Sequence, residues 1–289
     1  MRLIVQPDEG AAPLIRAIRN ARKSVDAVIF RFDLAPIEKA LKAAVGRGVA
    51  VRALIAHTNR GGEKELRKLE RRLLKAGVTV ARTDDELIRY HGKLLIIDGR
   101  RLFVMGFNYT EDDIQKSRSF GVVTRSRKLI ADAARLIEAD SNRQNFKPSP
   151  RGLVVSPENA RQRLSRFIRK AKRELLIYDP NVADDEMLQL MKTRANAGVR
   201  VRILGKVEKK WSDAGFKIRK FPGRLHVRAL VRDGRRAFVG SQSLRKPELD
   251  ERREVGIVIR DARLVKRLAN VFVADWTRAK NGAGKKKKK

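Results

Sequence analysis

Apolar positions along this chain fall into short runs that alternate between two periods. Leu3-Ile4-Val5 reads as a strand, Pro13 to Lys23 as an amphipathic helix and Val25 to Phe30 as a buried strand. Pro36 to Val45 follows as a helix closed by Gly46-Arg47-Gly48, and Val49 to Ala56 as another strand. Such alternation predicts an α/β fold with a mixed sheet flanked by helices. A helix-like stretch comes next at Glu63 to Glu70, then a short strand at Val78-Thr79-Val80. Lys93 to Ile97 and Leu102 to Met105 flank Asp98-Gly99, a hairpin signal, and predict two antiparallel central strands, with Leu129 to Ala139 as a closing helix.

The pattern then restarts. Helices are expected over Arg161 to Lys172 and Asp184 to Ala197, strands over Leu175 to Tyr178 and Val199 to Leu204, and a last helix from Ala262 to about Ala279. Ala17 to Lys23 resembles Phe167 to Arg173, and Gly48 to Arg52 resembles Gly198 to Arg202, both offset by 150 residues. His91, Lys93 and Asp98 return as His226, Arg228 and Asp233, offset by 135, so the first copy carries about 15 extra residues between Val51 and His91. Both motifs run on alike, through Asp98-Gly99-Arg100-Arg101 and Asp233-Gly234-Arg235-Arg236, to small-residue turns at Gly106-Phe107-Asn108 and Gly240-Ser241-Gln242-Ser243. The chain therefore reads as two homologous modules, 1–147 and 148–280, packed about a pseudo-twofold axis and joined through the polar, proline-broken stretch Asp140 to Pro150. Residues 281–289, ending in five lysines, read as a flexible basic tail.

Spacing gives the motif its chemistry. On a strand, His91 and Lys93 would project to one side of the sheet and converge on one phosphate. Two imidazoles facing one phosphodiester suffice for a two-step substitution, one attacking phosphorus while the other protonates the leaving alkoxide. Lys93 and Arg228 would supply fixed positive charge, and Asn108, Ser241 and Ser243 neutral contacts to substrate. The scheme requires neither a metal nor another cofactor. His57, ending an apolar strand, reads as structural, and Asp98 and Asp233 as braces of Asp-Gly turns. Asp112 and Asp113 read as a solvated loop in preference to a rim of the site, Tyr109 and Trp211 as core or boundary packing in preference to a base-stacking or lipid-interface role, and Lys206 to Lys220 as a basic segment near the entrance or a solvated face.

Charge narrows the partners. The 68 Lys and Arg against 33 Asp and Glu leave a net +35, which points to a polyanion, either an anionic phospholipid surface bound peripherally or nucleic acid. The absence of cysteine excludes disulfides and thiolate chemistry and suits a reducing compartment. No stretch has the length of a signal peptide or a membrane span, so a cytoplasmic protein is expected, peripheral at the inner membrane face if its substrate is lipid. A duplicated chain can assemble its centre alone, and no oligomer is demanded.

The duplicated motif resembles that of the phospholipase D superfamily, over nearly everything from Leu3 to Ala279, and most closely the organisation of bacterial phospholipase D and cardiolipin-synthase-like proteins. In that family the motif runs on to a Gly-Ser-x-Asn turn and then to an acidic residue before a Gly-Val or similar strand. Glu254 fills the acidic position in the second copy, whereas Ser119 replaces it in the first; Arg228 stands for Lys and Ser243 for Asn. The resemblance implies that the acid of one half orients the histidine of the other. Glu254 would then serve His91 as nucleophile, leaving His226 as general acid beside a neutral Ser119. It implies a metal-independent enzyme that hydrolyses phospholipid head groups or transfers a phosphatidyl unit. The alternatives are a nuclease of the same superfamily and a catalytically weak nucleic-acid-binding protein.

Overall fold

A computed structural model describes residues 1–58 and 63–283, with 63–283 including the end of the last helix. The first half runs β1 (Arg2–Gln6), α1 (Ala12–Arg19), β2 (Ser24–Ile29), α2 (Ala35–Gly46), β3 (Ala50–Ile55), α3 (Glu63–Lys75), β4 (Thr79–Arg82), β5 (Arg89–Tyr90), β6 (Leu94–Ile97), β7 (Arg101–Met105), α4 (Glu111–Gln115), β8 (Ser117–Thr124) and α5 (Arg127–Ser141). The second runs β9 (Val154–Ser156), α6 (Ala160–Arg169), β10 (Glu174–Val182), α7 (Asp185–Asn196), β11 (Arg200–Val207), β12 (Lys217–Arg219), β13 (Arg224–Leu225), β14 (Arg228–Arg232), β15 (Arg236–Gly240), α8 (Lys246–Asp250), β16 (Arg252–Ile259) and α9 (Ala262–Ala283). The correspondence bears out the duplicated mixed α/β architecture.

Each half builds one mixed sheet, in the order β1-β8-β7-β6-β2-β3-β4 and β12-β11-β10-β14-β15-β16-β5. The central strands are apolar on both faces because both faces are covered. Leu94 and Ile96 point into a core shared by the two sheets, α5 and α9, whereas Leu95 and Ile97 point outward beneath α1, α2 and α3. In the second half Ala229 and Val231 join the shared core, and Leu230 packs outward with α6 and α7. One hydrophobic interior thus fuses the halves, with a separate cluster outside each sheet.

The Asp-Gly turns are pinned from the far side of each sheet. Asp98 and Asp233 both take φ 54°, followed by Gly99 at 59° and Gly234 at 64°, the left-handed pair that a tight hairpin needs. The Asp98 carboxylate accepts from the amides of Arg22, Lys23 and Ser24, and Asp233 accepts from those of Lys172, Arg173 and Glu174. Both residues therefore fasten the helix-to-strand corner as well as their own hairpins.

Three expectations need correction. Asp140 is no linker residue: it ends α5, is buried, and pairs with Arg253 at 3.1 Å, so the chain crosses between halves only after Ser141. Residues 281–283, expected in a mobile tail, continue α9; the five terminal lysines lie outside the described residues. His91 and Lys93 do not lie on one strand, because β5 ends at Tyr90 and β6 begins at Leu94.

That interruption marks an exchange between the halves. β5 pairs with β16 of the second half, Arg89 opposite Arg252, before the chain enters its own sheet as β6. β13 reciprocates by pairing with β8, Arg224 opposite Ser117, before the chain enters β14. Each histidine sits where its chain passes from the other half's sheet into its own. The His91 amide donates to Arg253 O at 2.7 Å and the His226 amide to Arg118 O at 3.1 Å, so each is hung on a strand of the other half, β16 and β8. Arg253 is anchored by Asp140, Glu158 and Ser156 O, and Arg118 by Asp275, Asp8 and Gln6 O, which fixes both supports from below.

Candidate active site

At the seam, His91 is gripped at both ring nitrogens. Its Nδ1 lies 2.8 Å from Glu254 Oε2 and its Nε2 2.8 Å from Lys93 Nζ. A lysine can only donate and a carboxylate can only accept, so the arrangement reads as Lys93 N–H to Nε2 and Nδ1–H to Glu254. Phe30 meets the imidazole edge-on at 4.5 Å and lies 5.3 Å from Lys93 Nζ, holding both groups in place. Lys93 and Glu254 are wholly buried. Burial pushes Glu254 up to about 7, against Lys93 and Arg228, and brings Lys93 down to about 7, partly offset by Glu254. The pair survives in the interior by mutual support.

His226 approaches from the other half. Ser119, the neutral replacement in the first copy, donates from its hydroxyl to the His226 carbonyl at 2.7 Å and holds backbone rather than ring. The ring faces Asp113 instead, with Nδ1 3.2 Å from Oδ2, close enough for an ion pair though off the line of a hydrogen bond. Asp113 is 1% exposed, and it accepts from the Asn108 amide at 3.0 Å, Asn108 Nδ2 at 2.6 Å and Arg224 Nη2 at 3.0 Å. The expectation of a solvated loop is thus overturned at Asp113, because α4 turns that residue inward; Asp112 does face solvent, paired with Lys116 and Arg224. A signal was present: Thr110-x-x-Asp113 is a helix-start pattern in which the Thr hydroxyl accepts from the Asp113 amide, directing that side chain back along the chain.

The remaining candidates mostly brace the site. Arg228 Nε donates to Ser243 Oγ at 3.2 Å, and Ser243 donates to Asp179 Oδ1 at 2.9 Å, while the Leu244 amide holds the other oxygen. Asp179, which sequence reasoning missed, is fully buried and pushed up to about 6 by that burial. Ser241 Oγ accepts from the Val255 amide beside Glu254. Asn108, Ser241 and Ser243 therefore spend polar atoms on protein partners. Arg228 Nη1, Asn108 Oδ1 and Glu254 Oε1 are buried without a hydrogen-bond partner among the described residues. Tyr109 is core, its hydroxyl on Leu94 O, and the His57 amide donates to the Thr83 hydroxyl oxygen at 3.0 Å. Trp211 sits at a boundary on Asp185.

One electrostatic environment holds both rings. Burial drives His91 well below the usual imidazole range, aided by Lys93 and by Arg228 of the other half; His226 is lowered by burial, then Arg228, Lys93 and His91. Tight backbone approach allows the meeting. A Cβ on Gly106 would lie 3.1 Å from the Gly240 carbonyl of the opposite turn. The result is a cationic seam with two neutral imidazoles, each beside a carboxylate, suited to an anionic group arriving between them.

Comparison with known proteins gives relatives of both modules. The sequence model described as cardiolipin synthase, PLD-like domain, matches residues 14–141 and 164–276. Cardiolipin synthase of Staphylococcus aureus is 24% identical over 232 residues, 65% of this chain and 47% of the relative, and the mitochondrial cardiolipin hydrolase of Danio rerio is 26% identical over 117 residues, 40% of this chain and 50% of the relative. The chain spans about half the length of these relatives. Phosphatidylserine synthase from Haemophilus influenzae shares the fold at TM-score 0.71 and 13% identity, covering 98% of this chain and 86% of that one. Polyphosphate kinase from Porphyromonas gingivalis shares it at 0.77 and 16%, covering 95% and 50%. No helix among the described residues is long and apolar enough to cross a membrane. With the family match spanning both modules, this chain belongs to the phospholipase D superfamily, through its match to the PLD-like domain of cardiolipin synthase.

Proposed function

We propose that the seam cleaves phosphodiesters through a phosphohistidine on His91, and that the substrate is a phospholipid head group. The observation that carries this reading is the reciprocal supply of carboxylates, Glu254 to His91 and Asp113 to His226, with Lys93 and Arg228 beside them. In the first step His91 Nε2 forms a bond to phosphorus as the P–O bond to the leaving alcohol breaks, and His226 gives that oxygen its proton. In the second, water or an acceptor alcohol attacks phosphorus, the P–N bond breaks, and His226 takes the proton from the attacking oxygen. Lys93 must leave His91 Nε2 for a phosphoryl oxygen, and Arg228 offers its unpartnered Nη1 to another. An anionic substrate raises the affinity of His226 for the proton it must carry.

The lipid reading rests on the relatives; the net +35 favours a nuclease as the second reading. One experiment separates them. The protein is incubated with phosphatidylglycerol vesicles and with single-stranded and supercoiled DNA, with and without EDTA, beside His91→Ala and His226→Ala. The expected result is lipid turnover that persists in EDTA and vanishes in both variants. DNA cleavage alone would replace the lipid reading, and turnover that survives both substitutions would end the phosphohistidine scheme.

A further inference from the structure

We infer that Asp113 is the positioning residue for the general acid, and that its unequal standing with Glu254 decides which histidine attacks and which donates. The inference rests on the reading of the seam given above. Helix α4 delivers Asp113 to the His226 ring because the family's strand position is occupied by Ser119, whose hydroxyl is committed to the His226 carbonyl. The two carboxylates are not equivalent. Glu254 gives Oε2 to His91 and leaves Oε1 without a hydrogen-bond partner among the described residues. Asp113 Oδ2 accepts from the Asn108 amide and Asn108 Nδ2 and lies 3.2 Å from His226 Nδ1 off the line of a hydrogen bond, while Oδ1 accepts from the Arg224 guanidinium. A carboxylate already engaged by other donors is a weaker acceptor. Glu254 therefore makes His91 the more basic and more nucleophilic ring, and Asp113 orients His226 while leaving it readier to surrender its proton.

The same offset that relates the histidines relates Asp113 to Glu248 on α8. Glu248 is also buried but pairs with Arg252 and Arg245. The short helix thus carries a buried acid in both halves, and only in the first half does that acid face a catalytic ring. The His226 ring thus faces a helix-borne acid, while Ser119 at the strand position holds the His226 carbonyl.

The test compares Asp113→Asn, Ser119→Asp, and the double variant against two phosphodiesters of the same phosphatidyl group. One has an alkyl alcohol leaving group, which needs a proton; the other has p-nitrophenol, which departs as a stable phenolate. Asp113→Asn is expected to lower kcat/KM, which reports the step that expels the leaving group, by about 10²-fold on the alkyl ester, the range of general acid catalysis, and to leave kcat/KM on the nitrophenyl ester within a few-fold. The double variant should recover part of the loss by restoring a carboxylate at 119. Equal losses on both esters, or no loss on either, would overturn the assignment. A readout independent of turnover accompanies it: the chain has three histidines, so the ¹⁵N signals of His226 and His91 can be titrated separately. Asp113→Asn should lower the His226 midpoint and leave that of His91 in place. That shift in a protein that turns over neither lipid nor DNA would defeat the function proposed above and keep Asp113 as partner of His226; turnover with an unmoved His226 would do the reverse.

Discussion

Glu254 should weaken the fold that it equips for catalysis, and the effect has a pH signature. Its carboxyl is fully buried and moves from an ordinary 4.5 to about 7, chiefly through burial. Below the ordinary value the folded and unfolded chains both keep the proton and no penalty arises. Between 4.5 and 7 the unfolded chain releases a proton that the folded chain retains, so stability falls as pH rises, and above 7 the full cost is present. The displacement corresponds to roughly 3 kcal/mol, a ceiling because Lys93 shares the site. Glu254→Gln keeps the shape and an acceptor for His91 Nδ1–H but removes this ionisation. It also removes the charge that supports Lys93, but only above about 7, where Glu254 is ionised and the ammonium is itself losing its proton. The two consequences oppose, and burial, the larger cause, sets the sign. In urea unfolding, the variant's stability relative to the parent should be higher at pH 8 than at pH 5, by up to about 3 kcal/mol, in a protein whose kcat has collapsed. The same stability difference at both pH values would refute the reasoning, because it would mean that Glu254 carries no buried charge.

Three further outcomes are expected. Since the imidazoles are held neutral at neutral pH and Lys93 loses its proton near 7, kcat/KM should rise as pH falls from 8 toward 7, and it should decline below that as Glu254 takes up its proton; a rate optimum above pH 8 would contradict this. Lys93→Met should preserve the fold, since the position is wholly buried, and lower kcat by about 10²- to 10³-fold through loss of a preorganised donor; single-turnover rates check it. Asp98→Ala and Asp233→Ala should each cost about 1–2 kcal/mol by releasing three backbone amides and leaving a left-handed turn without its preferred residue, whereas Asn substitutions cost less. Their losses in thermal unfolding should add, because the two turns lie in separate modules.

Much of the fold was legible because period and punctuation are local properties. Val25 to Phe30 and Leu175 to Tyr178 announce buried strands, Asp98-Gly99 and Asp233-Gly234 announce hairpins, and the repeat announces the second module. His91 and Glu254 were legible as partners through resemblance to a family. What escaped is non-local. Nothing in Arg89-Tyr90-His91 says that its first two residues will pair with Arg252 and Arg253 of the other half, because a two-residue strand has no pattern to read. Asp113 was obscured by its neighbour: in Glu111-Asp112-Asp113 three acids read as solvent-facing, and only the Thr110 cap and the buried Ile114 beside it distinguish the one that turns inward. Asp179 lies at the end of an apolar strand where a carboxylate suggests a turn, and its bond to Ser243 depends on a register that the sequence alone leaves open.

The exchange of β5 and β13 gives this molecule the organisation of a dimer folded into one polypeptide. Neither module owns a finished site: each lends a strand end on which the other's imidazole hangs, so damage to Arg118 would be felt at His226 and damage to Arg253 at His91. Two genes encoding the modules separately would have to meet before either acquired catalytic geometry, and the covalent join makes that encounter independent of concentration. The join also releases the copies from remaining identical, and an acid served by a strand on one side and by a helix on the other is a form of asymmetry that no homodimer could adopt.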